Sequence, residues 1–398
     1  MNLFRKFILY YKICAVILLN TCIIFLLANI IFSFTRKIKR TYSKPINMMY
    51  ETYGKSLHKI YPGLSEEEIK ILLGETRSRP YVYEPFTTFK ERPYNGRYVN
   101  VDKNGFRNSR NQGVWPPAFE NFNVFVFGGS TLFGYGVSDE QTTASYLQEF
   151  LEGRGLRKNV RVYNFGRGYY YSTQEFILFA RLASSGFIPD MAIFIDGLNE
   201  FIFYNDEPYH SDILRDFIDA NINENFLRNY PFSYFLYKIP LIGYIKRKLD
   251  VILAKGNTTQ KIDSLGDDQY RYEPIIRKVI DRYIQNKKCV EAIAQAYGIQ
   301  PIFVWQPMPL YQYDLKYHLY YYKIEQHIYA KYGYPRMAEF VKKESLGKNF
   351  LWLADMQEEL KEPLYVDTHH YSAEMHKRFA RAICNLLQER GFLKSDKN

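Results

Sequence analysis

Asn123-Val124-Phe125-Val126-Phe127-Gly128-Gly129-Ser130-Thr131 is a short apolar run that ends in two glycines and two hydroxyls. A run this uniformly apolar suits a strand buried on both faces, as in a parallel sheet. Four more of strand length follow: Val160–Asn164, Met191–Ile195, Pro301–Trp305 and Phe350–Leu353. Helix-length amphipathic segments lie between them. Asp139 stands where it would cap a helix carrying Tyr146, Leu147, Phe150 and Leu151, and Ser172 to Glu175 has the pattern of a capping box. The stripe Phe176, Phe179, Ala180 and Ala183 follows, ended by Gly186 and Pro189. After Pro274 come Ile276, Ile280, Tyr283 and Ile284, continuing to Ile293 and closed by Gly298. Ser372 opens a last helix with Met375, Phe379, Ile383 and Leu386 on one face. Strand then helix, repeated, predicts a doubly wound, flavodoxin-like α/β fold. Its sheet is mostly parallel and five-stranded, with helices on both faces and ligands at the carboxyl ends of the strands.

Those ends carry the chemistry. The first strand delivers Ser130 through a glycine turn, as a candidate nucleophile; taken alone, Gly128-Gly129-Ser130 reads equally as a simple turn or a phosphate cradle. The third strand runs into Gly197-Leu198-Asn199-Glu200, placing a side-chain amide at the same edge. Asp367 stands three residues before His370, just upstream of the last helix, and His369 is a rival imidazole. A serine hydroxyl needs a base, and the base needs a partner that fixes its tautomer. His370 and Asp367 supply both.

In this order along the chain, the three pieces resemble the SGNH hydrolases, also called GDSL-like esterases. Gly128-Gly129-Ser130 matches the first block, with Gly129 where the name-giving motif has Asp; Gly197 to Glu200 matches the third and Asp367 to His370 the last. Asn104-Gly105-Phe106-Arg107 is similar to an element that precedes the nucleophile strand in a membrane-associated branch of the family. The second block departs: Asn164-Phe165-Gly166-Arg167-Gly168-Tyr169 has its later glycine one residue early, with Tyr169 at the expected position. The resemblance implies acyl transfer by a Ser130, His370 and Asp367 triad. The oxyanion would be held by the N–H of Ser130, the N–H of Gly168 or Tyr169, and the amide of Asn199. Water as acceptor makes the chain an esterase and a sugar hydroxyl makes it an O-acyltransferase. A tethered binding protein with an inert site is the third reading. No metal or organic cofactor is implied.

Upstream, 23 uncharged residues, Ile13 to Thr35, separate Lys12 from Arg36. At about 1.5 Å per residue they reach roughly 34 Å as a helix, enough to span a bilayer once, and no cleavage site follows. The 398-residue chain has a formal charge of +11, yet eight basic residues and no acid fall within the first 50 positions, leaving about +3 for the rest. A near-neutral body offers no broad phosphate-binding face, which excludes a nucleic-acid partner as the leading reading. The expectation is a single-pass membrane protein (residues 1–36) with a stalk and N-terminal elaboration (37–95). A catalytic domain (96–393) follows on the extracytoplasmic side, acting on an O-acylated carbohydrate or other small acyl ester of the cell envelope.

Long excursions at 204–272 and 307–348 are placed to overhang the site. The second holds Tyr311, Tyr313, Tyr317, Tyr320, Tyr321, Tyr322, Tyr329, Tyr332 and Tyr334, whose faces and hydroxyl tips would suit a glycan. With 37 Tyr and 30 Phe in the chain, ordinary packing accounts for most of them. Cys289 and Cys384 read as two buried thiols, with a single disulfide between them left open.

Overall fold

The computed structural model describes residues 3–42, 50, 53–77, 79–154, 156, 158–222, 239–242, 244–245, 271–320 and 328–393. Two compact units are present: Met1–Ile46 with Asp212–Gly266, and Asn47–Ser211 with Asp267–Asn398. Much of the expected excursion at 204–272 and part of that at 307–348, including Tyr321 and Tyr322, lie outside the described residues.

The first unit is built on α1 (Leu3–Tyr42), within which Phe4–Thr35 is long and apolar enough to cross a membrane. One polar side chain in it is buried. Asn29 donates Nδ2–H to its own helix at Phe25 O (2.8 Å) and accepts the N–H of Leu241 (3.1 Å).

In the second unit, α2 (Glu66–Arg77) opens on three glutamates, favourable at the positive end of a helix, and buries Ile69, Leu72 and Leu73. Two antiparallel pairs follow, β1 (Val82–Glu84) with β2 (Thr88–Lys90) and β3 (Tyr94–Asn95) with β4 (Asn100–Val101). The main sheet comprises β5 (Phe122–Gly128), β6 (Val160–Asn164), β7 (Met191–Asp196), β8 (Gln300–Trp305) and β9 (Phe350–Trp352). All are parallel, in the order β6-β5-β7-β8-β9. The connecting helices in chain order are α3 (Ser130–Phe133), α4 (Thr143–Glu152), α5 (Ser172–Ser184), α6 (Leu198–Ile202), α7 (Ser211–Ile222, nearly all in the first unit), α8 (Glu273–Tyr297), α9 (Ile328–Lys343) and α10 (Ala373–Glu389). The expected doubly wound fold, five parallel strands with helices on both faces, is the one observed.

Alternation along the strands explains the two faces. Phe125 and Phe127 of β5, Phe194 of β7, and Phe303 and Trp305 of β8 point to one side, toward α5, α8 and α9. Val124, Val126, Ile193, Ile195, Ile302 and Val304 point to the other, toward α4 and α10. The aromatic side forms a ladder: Phe127 stacks on Phe194 at 4.9 Å and Phe194 on Phe303 at 5.4 Å. Such cross-strand pairs add to area burial and hold neighbouring strands in register.

Three local readings change. Asp139 lies in a short 3₁₀ turn; the helix after it starts at Thr143, and the Thr142 hydroxyl caps it by accepting the N–H of Ser145. The Asp139 carboxylate is drawn instead to Arg107 (2.8 Å). Ser172 forms no capping box with Glu175, because its N–H and hydroxyl both go to Glu200 (2.6 and 2.9 Å). The thiols Cys289 and Cys384 are free; Cys289 is exposed on α8 and Cys384 buried on α10, on opposite faces of the sheet. No disulfide joins them.

His376 of α10 is wholly buried, and its Nδ1 accepts the N–H of Thr143 (3.1 Å). Burial first, then the charges of Arg107 and His370, push this imidazole down to about 3 from 6.5. A folded-state value below the unfolded one means the residue's contribution is complete above pH 6.5 and is lost as pH falls toward 3. Urea denaturation of the wild type against His376→Asn checks this. The stability difference is expected to be flat above about pH 7 and to move against the wild type below it by up to about 1.4 kcal/mol per pH unit.

Candidate active site

The chain turns sharply after β5, and Ser130 opens α3 with Gly129 just before it. A Cβ on Gly129 would lie 2.4 Å from Nδ2 of Asn199, so a side chain there would collide with the amide that packs against the serine turn. Gly134, in the left-handed region at φ 90°, closes α3 after one turn. The second-block asparagine supports the same turn: Asn164 Nδ2 donates to Leu132 O at 3.1 Å.

Asp367 and His370 sit on a tight loop between β9 and α10. The bridge between Tyr365 and Tyr371 closes its base, and Val366 N–H donates to His370 O at 2.8 Å. Ser372 caps α10 directly after it by accepting the N–H of Met375. The loop brings the expected residues together. His370 Nε2 lies 2.8 Å from Ser130 Oγ, and Nδ1 lies 2.7 and 3.0 Å from the two Asp367 oxygens. Asp367 Oδ1 also accepts the N–H groups of His369 and His370 (2.9 and 2.8 Å). All three side chains are largely buried: 9% of Ser130, 3% of Asp367 and 4% of His370 is exposed. His369 Nδ1 lies 2.9 Å from Thr368 Oγ1, and its ring centroid lies 4.0 Å from that of His370.

The loop after β6 bears on the choice between Gly168 and Tyr169. Gly168 donates its N–H to Glu91 Oε1 (3.0 Å), so that N–H is not available to an oxyanion. Tyr169 carries the backbone geometry that glycine would favour, at φ 64°, and among the described residues its N–H has no partner. Holding a non-glycine residue there costs on the order of 1–3 kcal/mol, which the surrounding contacts must offset. Asn199, on α6 just beyond β7, donates through Nδ2 to Tyr170 O (2.6 Å) and has a second N–H on that nitrogen.

Residues of the N-terminal elaboration surround this core, and sequence spacing pointed to none of them. Arg77, the last residue of α2, is hydrogen-bonded to Asp367 Oδ2, and its Nη2 lies 3.1 Å from His370 Nδ1. Glu91, besides Gly168, accepts the Tyr135 hydroxyl at 3.0 Å and pairs with Arg79 at 3.2 Å. The Tyr135 ring stacks on His370 at 5.3 Å. Burial first and Glu91 second push the Tyr135 phenol well above its ordinary range, so it stays a neutral donor. The one available signal was the crowding of Arg77, Arg79, Glu84, Lys90, Glu91 and Arg92 into a short non-periodic stretch.

Beneath the third block, Asp196 and Glu175 are buried beside Glu200, and burial first, then neighbouring carboxylates, push both well above the carboxylate range. They belong to the core rather than the site. Asp367, His369 and His370 place one ligand-type atom each within 4.8 Å of the others. The cationic Arg77 on Asp367 opposes a metal ion there, so no metal is assigned.

Among the described residues, the tyrosines of 307–348 do not form a platform. Tyr313, Tyr320 and Tyr334 are buried, and Tyr311, Tyr317, Tyr329 and Tyr332 are partly buried. Tyr169, Tyr204 and Tyr209 are each partly exposed, and Tyr169 stacks on Tyr209 at 4.0 Å.

No protein-family model and no curated protein matches the chain. Solved structures similar to it include a lipase/acylhydrolase from Enterococcus faecalis (11% identity, 69% of this chain and 99% of that one, TM-score 0.33). A catalytic mutant of the acetylxylan esterase Axe2 from Geobacillus stearothermophilus (14%, 69% and 96%, 0.34) is another. A third is the lipase Lip_vut3 from a goat rumen metagenome (11%, 69% and 99%, 0.37). At TM-scores this low, what the site does has to be argued from its own geometry.

Proposed function

We propose that this chain is a serine esterase of the SGNH type that removes O-acyl groups from a carbohydrate of the cell envelope. It would be held to the membrane by Phe4–Thr35, with its catalytic unit on the extracytoplasmic side. The observation that carries the reading is the continuous hydrogen-bonded line from Ser130 Oγ through His370 to Asp367, 2.8 Å and then 2.7 Å. In the first step Ser130 Oγ bonds to the ester carbonyl carbon while His370 Nε2 takes the hydroxyl proton. Asp367 holds Nδ1–H and stabilises the imidazolium. The N–H groups of Ser130 and Tyr169 and the amide of Asn199 receive the oxyanion. Collapse breaks the ester C–O bond, and the sugar oxygen leaves with the proton from His370. Water then repeats the sequence on the acyl-enzyme and restores the serine. The glycan is supported by the exposed Tyr169–Tyr209 pair, whose apolar faces suit a sugar ring.

Intact-mass analysis of the full chain in detergent, treated with a fluorophosphonate, tests the reading. A single adduct on the wild type, absent in Ser130→Ala and slowed at least about 10³-fold in His370→Ala, is expected. No adduct on folded wild type sinks the proposal in favour of a tethered binding protein. Product analysis with O-acetylated xylo-oligosaccharide and a free sugar present separates hydrolysis from transfer to a sugar hydroxyl.

Asn199→Ala is expected to lower kcat for acetyl-ester hydrolysis by about 10²-fold with little change in KM, the pattern of a donor used only in the transition state. Equal loss in Asn199→Ala and in a substitution at the exposed Tyr204 would instead mark a general structural effect.

A further inference from the structure

Of residues 4–35 in α1, all are exposed save Ala28, Asn29, Phe32 and Ser33. Residues three and four apart are neighbours on a helix surface, so these four share one face. A short piece of the excursion after α6, in the same compact unit as α1, covers that face. Leu241 donates its N–H to Asn29 Oδ1 at 3.1 Å, and the Tyr244 ring lies 5.2 Å from that of Phe32. Each contact is followed three residues later by the next on both partners, so residues 241–244 run in the same direction as α1. Residues 240–242 and 244–245 are helical, with Pro240 at the start. The first N–H groups of a helix have no partner inside it. Proline has none to leave over, and that of Leu241 is met from outside by the Asn29 carboxamide.

The depth of this contact says what lies around it. Ile24 is the middle of the uncharged run Ile13 to Thr35, and Asn29 stands five residues beyond it. With the run centred in a hydrocarbon core about 30 Å thick, Asn29 lies roughly 8 Å from the middle and still inside. Water is absent there, so a backbone N–H persists only with a protein partner, and an asparagine side chain supplies one. The outward surface beside the contact is apolar: Ile30, Ile31 and Phe34 of α1, with Tyr244 and Ile245, are exposed. Residues 239–245 include no charged side chain, and Lys246-Arg247-Lys248 follows them in sequence as Arg36-Lys37 follows Thr35. Basic residues after an apolar stretch suit the lipid headgroups.

We propose that residues 239–245 form a second membrane contact, seated in the bilayer against α1 and held there by Asn29, and that the partner of the exposed face of Tyr244 and Ile245 is lipid acyl chain. The chain leaves the catalytic unit at Ser211 and returns to it at Asp267. The catalytic unit is therefore tied to the bilayer through this excursion as well as through the segment after α1. The inference rests on the membrane anchoring by Phe4–Thr35 proposed above and adds a second point of attachment to it.

The test reconstitutes the full chain in phosphatidylcholine vesicles with and without bromine on the acyl chains, which quenches a tryptophan that touches them. Trp115, Trp305 and Trp352 give the background, read from the wild type. Ile24→Trp reports on α1, and Tyr244→Trp reports on the second contact. Both are expected to lose most of their added emission to bromine. Adding Asn29→Leu should abolish that loss for Tyr244→Trp and leave it unchanged for Ile24→Trp, which shows that the anchor is still inserted. A quenched Ile24→Trp beside an unquenched Tyr244→Trp overturns the second contact alone. Light scattering in detergent then tells whether a second copy covers that face instead. An unquenched Ile24→Trp overturns the anchoring, and this proposal with it. Quenching of Tyr244→Trp that survives Asn29→Leu overturns the role given to Asn29.

Discussion

The guanidinium of Arg107 is fully buried, and the loop that follows Ser130 is organised around it. Nη1 donates to the carbonyls of Phe133 and Gly134, Nη2 to that of Val137, each at 2.7 Å, and Nε to Asp139 at 2.8 Å. Its own backbone N–H pairs with Asn164 O at 2.8 Å, which ties the segment after β4 to the end of β6. A buried cation is tolerated only when every donor is used and a counter-charge lies close, and removing one partner of such a set typically costs about 3–5 kcal/mol. The Phe133 ring packs against the guanidinium at 4.9 Å. This one side chain therefore sets the path of residues 133–139, and with it the position of Tyr135 against His370. The short Asn104-Gly105-Phe106-Arg107 stretch thus has a mechanical meaning: it delivers the pin on which the serine turn rests.

A second layer of charge connects the N-terminal elaboration to the loop after β6. Glu84 pairs with the buried Arg167, and Glu91 with Arg79, Gly168 and Tyr135. Taking such ions out of water is repaid only where the remaining hydrogen bonds are also met, so the pairs specify one arrangement of the loop more than they add stability. One consequence is the left-handed backbone at Tyr169. With Gly168 fastened to Glu91, the next residue must bear the turn. The site is therefore a joint product of the sheet and of the segment before it.

The parts legible from sequence are those in which a single element places a residue. Phe125 and Phe127 alternate with Val124 and Val126 because β5 is covered on both faces, and that pattern could be read directly. Ser130, Asn199, Asp367 and His370 lie within a few positions of a strand end or helix start, so local spacing carried their placement. Arg77 could not be found this way: it meets Asp367 across 290 positions, from the end of a helix outside the main sheet whose spacing points to no partner. The choice between Gly168 and Tyr169 stayed open in the sequence because residue type stands in poorly for backbone conformation. The glycine's N–H is spent on Glu91, and its tyrosine neighbour adopts the turn. For the tyrosines of the second excursion the compositional reading fits, since Tyr313, Tyr320 and Tyr334 fill core space as any large side chain would.

Ser130 and His370 are separated by 240 positions, and the helix that follows His370, α10, packs on α4. A chain synthesised at about 5–20 residues per second exposes Ser130 roughly tens of seconds before His370 exists. Through that interval the serine is an ordinary alcohol, with no group near enough to take its proton. The ribosome and whatever machinery handles the apolar first helix thus meet only a chemically inert polypeptide. The hydrogen-bonded line from Ser130 to Asp367 therefore exists only once the segment carrying His370 has packed beside the serine turn.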